Sequence, residues 1–165
     1  MTENELFLLC EKTVKKLIEK NITVSVAESC TGGLLSKLIT DVSGCSSIYP
    51  GGVCTYSNTI KTKLLGVKED TLSSFGAVSE NTAAEMAEGV KKLMNTDIGI
   101  GITGIAGPGS DNTNKPAGLI YIAIKSNNTQ KTVMLNNSFT EDIRTQNRYS
   151  AVFSALTLLS EEADL

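Results

Sequence analysis

Leu6, Cys10, Val14, Leu17 and Ile18 recur at helical spacing between charged residues, which predicts an amphipathic helix over residues 3–20 that ends near Lys20-Asn21. The pattern then changes to alternating small and apolar positions, so a strand over 22–27 runs straight into Ser29-Cys30-Thr31-Gly32-Gly33. A helix over 32–40 follows, with Leu34, Leu35, Leu38 and Ile39 on one side, and then a serine- and glycine-bearing loop over 42–50. Residues 53–57 read as a second strand, 59–65 as a short helix stopped by Gly66, and 69–75 as another short helix before Gly76. Ser79 is a good N-cap for a helix over 80–95, whose buried face is built from Ala83, Ala84, Met86, Ala87, Val90, Leu93 and Met94. A third strand covers 98–102. Two more, over 119–125 and 132–135, are joined by the polar turn Ser126-Asn127-Asn128 as a hairpin, and a last helix spans 141–160.

Early strands separated by helices imply parallel pairing, whereas the late hairpin requires an antiparallel neighbour. The expected fold is therefore α/β, with a mixed sheet covered by helices on both faces. One connection exceeds ordinary length, residues 103–117 (TGIAGPGSDNTNKPA). Long loops within compact domains are usually functional or disordered. This loop and the Ser29 loop both leave the carboxyl ends of strands expected to be parallel, so they can meet at the sheet edge where open α/β folds bind ligands.

A chain of 165 residues with 41% hydrophobic content suits one domain with a proper core. The net charge of −3 gives no basic footprint for nucleic acid and no polybasic patch for a membrane. The first residues lack a basic segment followed by a continuous apolar stretch, and no later run approaches transmembrane length, so a cytoplasmic location is expected. Cys10, Cys30, Cys45 and Cys54 form no CxxC pair and the chain has no histidine, which argues against a metal site. The cysteines read as reduced, partly buried small hydrophobes.

A strand that feeds a helix through a hydroxyl- and glycine-rich turn aims backbone N–H groups and the positive end of a helix dipole at one spot. That suits a phosphate or a developing oxyanion. Without histidine, a nucleophilic Ser29 must pass its proton elsewhere, and lysine is the leading acceptor.

AESCTGG at 27–33, GGVCTYSNTIKTKLLGV at 51–67, GAVSE at 76–80, ITGIAGPG at 102–109 and KPAG at 115–118 together resemble, in order, the blocks of the CinA C-terminal domain family. Stand-alone members of that family include nicotinamide-nucleotide amidases. The resemblance covers nearly the whole chain, read as one domain over 1–165. It implies a three-layer α/β/α sandwich with a five-stranded mixed sheet. It also implies hydrolysis of the carboxamide of nicotinamide mononucleotide to nicotinate mononucleotide and ammonia, with no metal or redox cofactor and a small-molecule nucleotide as the partner. A homodimer or other homo-oligomer is compatible with it. Many relatives carry a Gly-Asp-Arg turn before the last helix; this chain has Phe139-Thr140-Glu141-Asp142-Ile143-Arg144 instead, and Arg144 is carried over as a ligand contact.

Alone, Ser29 reads as an N-cap, a role that contributes about 1 kcal/mol. Within the amidase block it reads as the nucleophile. Cys30 is the second candidate, since a helix terminus lowers a thiol pKa. Thr31 reads as a side chain that caps or hydrogen-bonds rather than reacts, and the N–H groups around Thr31 to Gly33, those of Gly32 and Gly33 included, as an oxyanion hole. In the block YSNxxK, Lys61 becomes a desolvated base for the serine, as in Ser-Lys hydrolases on other folds, with Tyr56 relaying a proton or holding the lysine and Asn58 beside the substrate. Glu28 reads as a capping or lysine-pairing acid rather than a general base. Thr103, Gly104, Ala106 and Gly107 read as a backbone cradle for the ribose phosphate or pyridine ring, with a tight turn as the bland alternative, and Lys115 as a loop charge. Two other functions fit the same chain: a catalytically inactive nucleotide-binding domain, and a competence-linked interaction domain.

Overall fold

The computed structural model describes residues 1–110 and 113–164, so residues 111 and 112 of the long loop lie outside the described residues. Among the described residues, six α-helices surround five strands: α1 (Glu3–Lys20), β1 (Val24–Glu28), α2 (Leu34–Thr40), β2 (Gly51–Cys54), α3 (Asn58–Leu65), α4 (Glu69–Phe75), α5 (Glu80–Met94), β3 (Ile98–Gly104), β4 (Leu119–Lys125), β5 (Gln130–Asn136) and α6 (Ile143–Glu162). The sheet order is β2-β1-β3-β4-β5. β1 pairs in parallel with β2 and β3, while β4 is antiparallel to both β3 and β5. The expected mixed α/β sheet of five strands is the one observed.

Strand alternation divides the core between two faces. Val24, Val26, Ile98, Ile100, Ile102, Ile120, Ile122 and Ile124 join Leu6, Cys10, Val14 and Leu17 of α1, Leu35 and Leu38 of α2, and Ala151, Ala155 and Leu159 of α6 in one cluster. The opposite face is built from small residues. Ala27 packs with Met86 and Val90, and Ala123 with Ala83 and Ala87, all four partners on α5. Gly99 and Gly101 explain how close that helix lies: a Cβ on either would stand 2.2 or 2.3 Å from the carbonyl oxygen of Ala87 or Ala83. Gly89 does the same between helices, since a Cβ there would stand 2.1 Å from the Leu65 carbonyl oxygen. This close approach of α3 to α5 places the helix that carries Lys61.

The helices expected at 3–20 and 69–75 have those limits, and Ser79 accepts from the Thr82 N–H as the cap of α5. Gly66, with φ of 68°, ends α3. Several strand limits shift. The first begins at Val24 and includes Glu28, β3 runs on to Gly104, and β5 covers seven residues instead of four. The second occupies Gly51–Cys54 rather than 53–57, because Ser57 already accepts from the Ile60 N–H as the N-cap of α3. The last helix starts at Ile143, and a short 3₁₀ turn, Cys45–Ser47, lies within the expected loop over 42–50.

Candidate active site

β1 lies between two parallel neighbours to which the chain crosses in opposite directions, so a crevice opens at its carboxyl end. Ser29 stands there, one residue beyond the strand, its N–H donating to the Ile102 carbonyl at 3.0 Å. Glu28, fully buried before it, turns its carboxylate away from the crevice and caps α2. It accepts from the N–H groups of Gly33 (3.0 Å), Leu35 (3.2 Å) and Ser36 (2.9 Å) and from the Ser36 hydroxyl (2.8 Å). A carboxylate at a helix N-terminus is favoured by both the unpaired donors and the dipole. Glu28→Gln replaces one acceptor oxygen with a donor facing these N–H groups, so stability is expected to fall by about 2 kcal/mol. Calorimetric unfolding of the two proteins checks this.

Lys61, in the second turn of α3, is 1% exposed. Its Nζ donates to Ser29 Oγ at 3.0 Å and to the Thr55 carbonyl at 2.6 Å. No carboxylate among the described residues forms an ion pair with it. Burial without a compensating anion penalises the ammonium and lowers the Lys61 pKa from its ordinary value to about 8. A buried amine of that pKa within hydrogen-bond reach of a hydroxyl can accept its proton.

Ser29 and Lys61 open into a cavity of about 270 Å³ lined also by Cys30, Tyr56, Ala77, Val78, Thr103, Gly104, Ile105, Ala106, Gly107, Gly109, Ser110 and Arg144. Among the described residues its lining includes a lysine and an arginine and no carboxylate. The main-chain N–H of Thr31 meets no acceptor among the described residues, and that of Cys30 meets only its own thiol. They directly follow Ser29, where an oxyanion formed at its hydroxyl could be received.

Two arginines from α6 brace the loops. Arg144 donates to the Gly107 carbonyl at 2.9 Å, and Arg148 grips the Thr31 carbonyl through both Nε (2.9 Å) and an Nη. Between them Asn147, 1% exposed, donates to the Ala106 carbonyl at 3.0 Å and accepts from Asn137 at 3.1 Å.

The structure thus brings Ser29, Lys61, Tyr56, Cys30, Thr103, Gly104, Ala106, Gly107 and Arg144 to one cavity. It does not bring all the expected residues there. Gly32 and Gly33 line a different depression, and their N–H groups are already given to the Ser29 carbonyl and to Glu28. With those bonds made they are not free to receive an oxyanion. The Thr31 side chain is buried and its hydroxyl has no hydrogen-bond partner among the described residues. Asn58 faces the groove between α3 and α4. Tyr56 is 70% exposed on the cavity rim and makes no hydrogen bond to Lys61, whose ammonium is held by the Thr55 carbonyl instead. Thr103 donates to the Ala77 carbonyl at 2.7 Å.

Burial pushes the Cys30 thiol up to about 12, so little thiolate exists at neutral pH despite the nearby helix. Cys30→Ala is expected to keep most of any turnover, measured as kcat/KM beside the unaltered protein. Sequence reasoning missed the bracing by Arg148 and Asn147. Their signal was helical spacing, since Arg148 lies one turn beyond Arg144 and faces the same loops.

The profile of the CinA C-terminal domain matches residues 8–163. A Clostridioides difficile protein described as competence-damage inducible is 54% identical over 130 residues, which are 79% of this chain and 31% of that protein. A CinA-like protein of Leptospira borgpetersenii is 49% identical over 120 residues, 73% of this chain and 29% of its own length. The chain therefore spans under a third of the length of the curated relatives it matches first. The crystal structure of the competence/damage inducible protein CihA from Agrobacterium tumefaciens is similar over its whole fold, with a TM-score of 0.91 at 33% identity, covering 100% of this chain and 98% of that one. A CinA superfamily protein from Klebsiella pneumoniae gives 0.90 at 31% identity, covering 96% and 98%.

Proposed function

This chain belongs to the CinA C-terminal domain family, and from that premise we propose that it is a serine amidohydrolase that converts nicotinamide mononucleotide to nicotinate mononucleotide and ammonia. The observation that carries the reading is the buried pair of Ser29 Oγ and Lys61 Nζ, 3.0 Å apart, with no carboxylate among the described residues to hold the lysine charged. With a pKa near 8, roughly a tenth of the lysine is neutral at pH 7. Neutral Lys61 takes the Ser29 proton as Oγ attacks the carboxamide carbon, and the N–H groups of Cys30 and Thr31 receive the oxyanion. Lys61 returns the proton to the leaving nitrogen, and ammonia departs. Water activated by the same amine then hydrolyses the ester on Ser29. The cationic pyridinium makes the carbonyl more electrophilic.

Two cationic side chains in the cavity, Arg144 and Lys61, favour an anionic substrate. Arg144 and the Gly104–Gly107 backbone are assigned to the phosphate end. Removal of that phosphate, giving nicotinamide riboside, is expected to lower kcat/KM on the order of tenfold or more through loss of a charge-assisted contact. Equal efficiency on both compounds would reassign Arg144. Ammonia release by the purified chain across pyridine nucleotides tests the function: turnover greatest with nicotinamide mononucleotide supports it, and binding without ammonia marks a nucleotide-binding domain instead.

A further inference from the structure

The segment between α4 and α5 forms one wall of the cavity through Ala77 and Val78, yet it has no strand or helix to hold it. The four consecutive carbonyls from Phe75, the last residue of α4, to Val78 are each taken by a side-chain donor. Phe75 and Val78 accept from Lys115 Nζ at 2.8 and 2.5 Å. Gly76 accepts from the hydroxyls of Ser79 (3.0 Å) and Thr82 (2.8 Å), and Ala77 from Thr103 at 2.7 Å. Ser79 and Thr82 belong to the adjoining helix, so they fix the segment to its own continuation. Thr103 and Lys115 reach it from β3 and from the β3–β4 loop, which supplies the facing wall of the cavity through Gly104–Gly107.

We propose that Lys115 is a positioning residue for the active site, a charged latch that ties the β3–β4 loop to the Phe75–Val78 segment and so sets the width of the substrate cavity. Its ammonium forms no ion pair with a carboxylate among the described residues, and it does not line the cavity, so its contacts are those of a clamp rather than of a substrate ligand. A single donor with two carbonyl acceptors at opposite ends of the segment holds both ends at once. A lysine carries more than one N–H donor, so the one side chain serves both carbonyls. Gly76 is part of the same arrangement: it adopts φ of 80°, and a Cβ there would lie 3.4 Å from Lys115 Nζ.

The effect on KM rests on the amidase reading, whereas the effect on the wall does not. Lys115→Met is expected to raise KM at least fivefold for nicotinamide mononucleotide and by the same factor for nicotinamide riboside, with kcat and the pH dependence set by Lys61 unchanged. Lys115→Arg, which also offers donors to two carbonyls, is expected to restore KM to within about twofold of the original. In the protein without substrate, amide hydrogen exchange across residues 75–79 is expected to quicken in Lys115→Met and to return toward its original rate in Lys115→Arg. A KM increase confined to the phosphorylated compound would make Lys115 a phosphate ligand and overturn the latch. Unchanged exchange would overturn it too, whether or not the protein turns over any nucleotide. If the original protein releases no ammonia while exchange quickens in Lys115→Met, the amidase reading fails and the latch stands.

Discussion

Ser29→Ala is expected to lower ammonia release from nicotinamide mononucleotide by on the order of 10⁴-fold or more, the scale seen when a covalent nucleophile is removed. The fold should survive. Gly33, not Ser29, is the residue at the N-cap position of α2, and the capping acceptors belong to Glu28, so no helix cap is lost. The one side-chain hydrogen bond removed among the described residues is that from Lys61, and the lysine keeps the Thr55 carbonyl. A stability change within about 1 kcal/mol is therefore expected. Retained nucleotide binding by calorimetry, together with lost turnover, separates the loss of chemistry from the loss of the site. A folded Ser29→Ala protein with unaltered rates would remove Ser29 from the mechanism.

The second large effect belongs to Lys61 and has a sign in pH. Because burial lowers its pKa to about 8, the base is mostly protonated at pH 7, and kcat/KM should rise about tenfold per unit below that value and level off above it. Lys61→Arg keeps the positive charge but cannot release a proton at working pH. It should lose roughly 10³-fold in rate, nearly as much as Lys61→Met, and the limb near pH 8 should vanish from both profiles. Substantial rescue by arginine would assign Lys61 to charge stabilisation instead. The same shift bears on stability. Since the folded protein releases this proton more readily than the unfolded chain, the cost of burying the ammonium is fully present below pH 8. Stability gains from Lys61 as pH rises from about 8 toward the ordinary lysine value, where the unfolded chain binds more protons. That increment should be absent in Lys61→Met.

The place of Ser29 at the crevice was legible in the sequence because it is set locally: a strand, a serine and two glycines before a helix leave few other geometries. Lys61 was legible because the chain lacks histidine and the lysine lies in the family block after the second strand. The misassigned oxyanion donors show where local reasoning fails. Gly32 and Gly33 do turn sharply, with φ of 63° and 96°, but whether their N–H groups are free depends on Glu28, a strand residue whose side chain reaches over the turn to α2. That competition is tertiary. β2 was displaced for a related reason, since β-rich residues 55–57 were read as strand while Ser57 serves the following helix. Tyr56 sits in the right block, but its side chain points to the rim, and a main-chain carbonyl that has no sequence signature holds the lysine. The helical spacing of Arg144 and Arg148 was visible, yet their targets, the carbonyls of Gly107 and Thr31, depend on how α6 crosses two distant loops.

The most direct measurement is the mass of the protein caught in turnover. Nicotinamide mononucleotide is mixed with the unaltered chain, the reaction is quenched in acid within the first turnovers, and the peptides are mapped by mass spectrometry. The expected result is a nicotinate mononucleotide ester on Ser29, formed with release of ammonia and absent from Ser29→Ala. An adduct on Cys30, or ammonia released by Ser29→Ala at the unaltered rate, would contradict a serine amidase that uses Lys61 as its base.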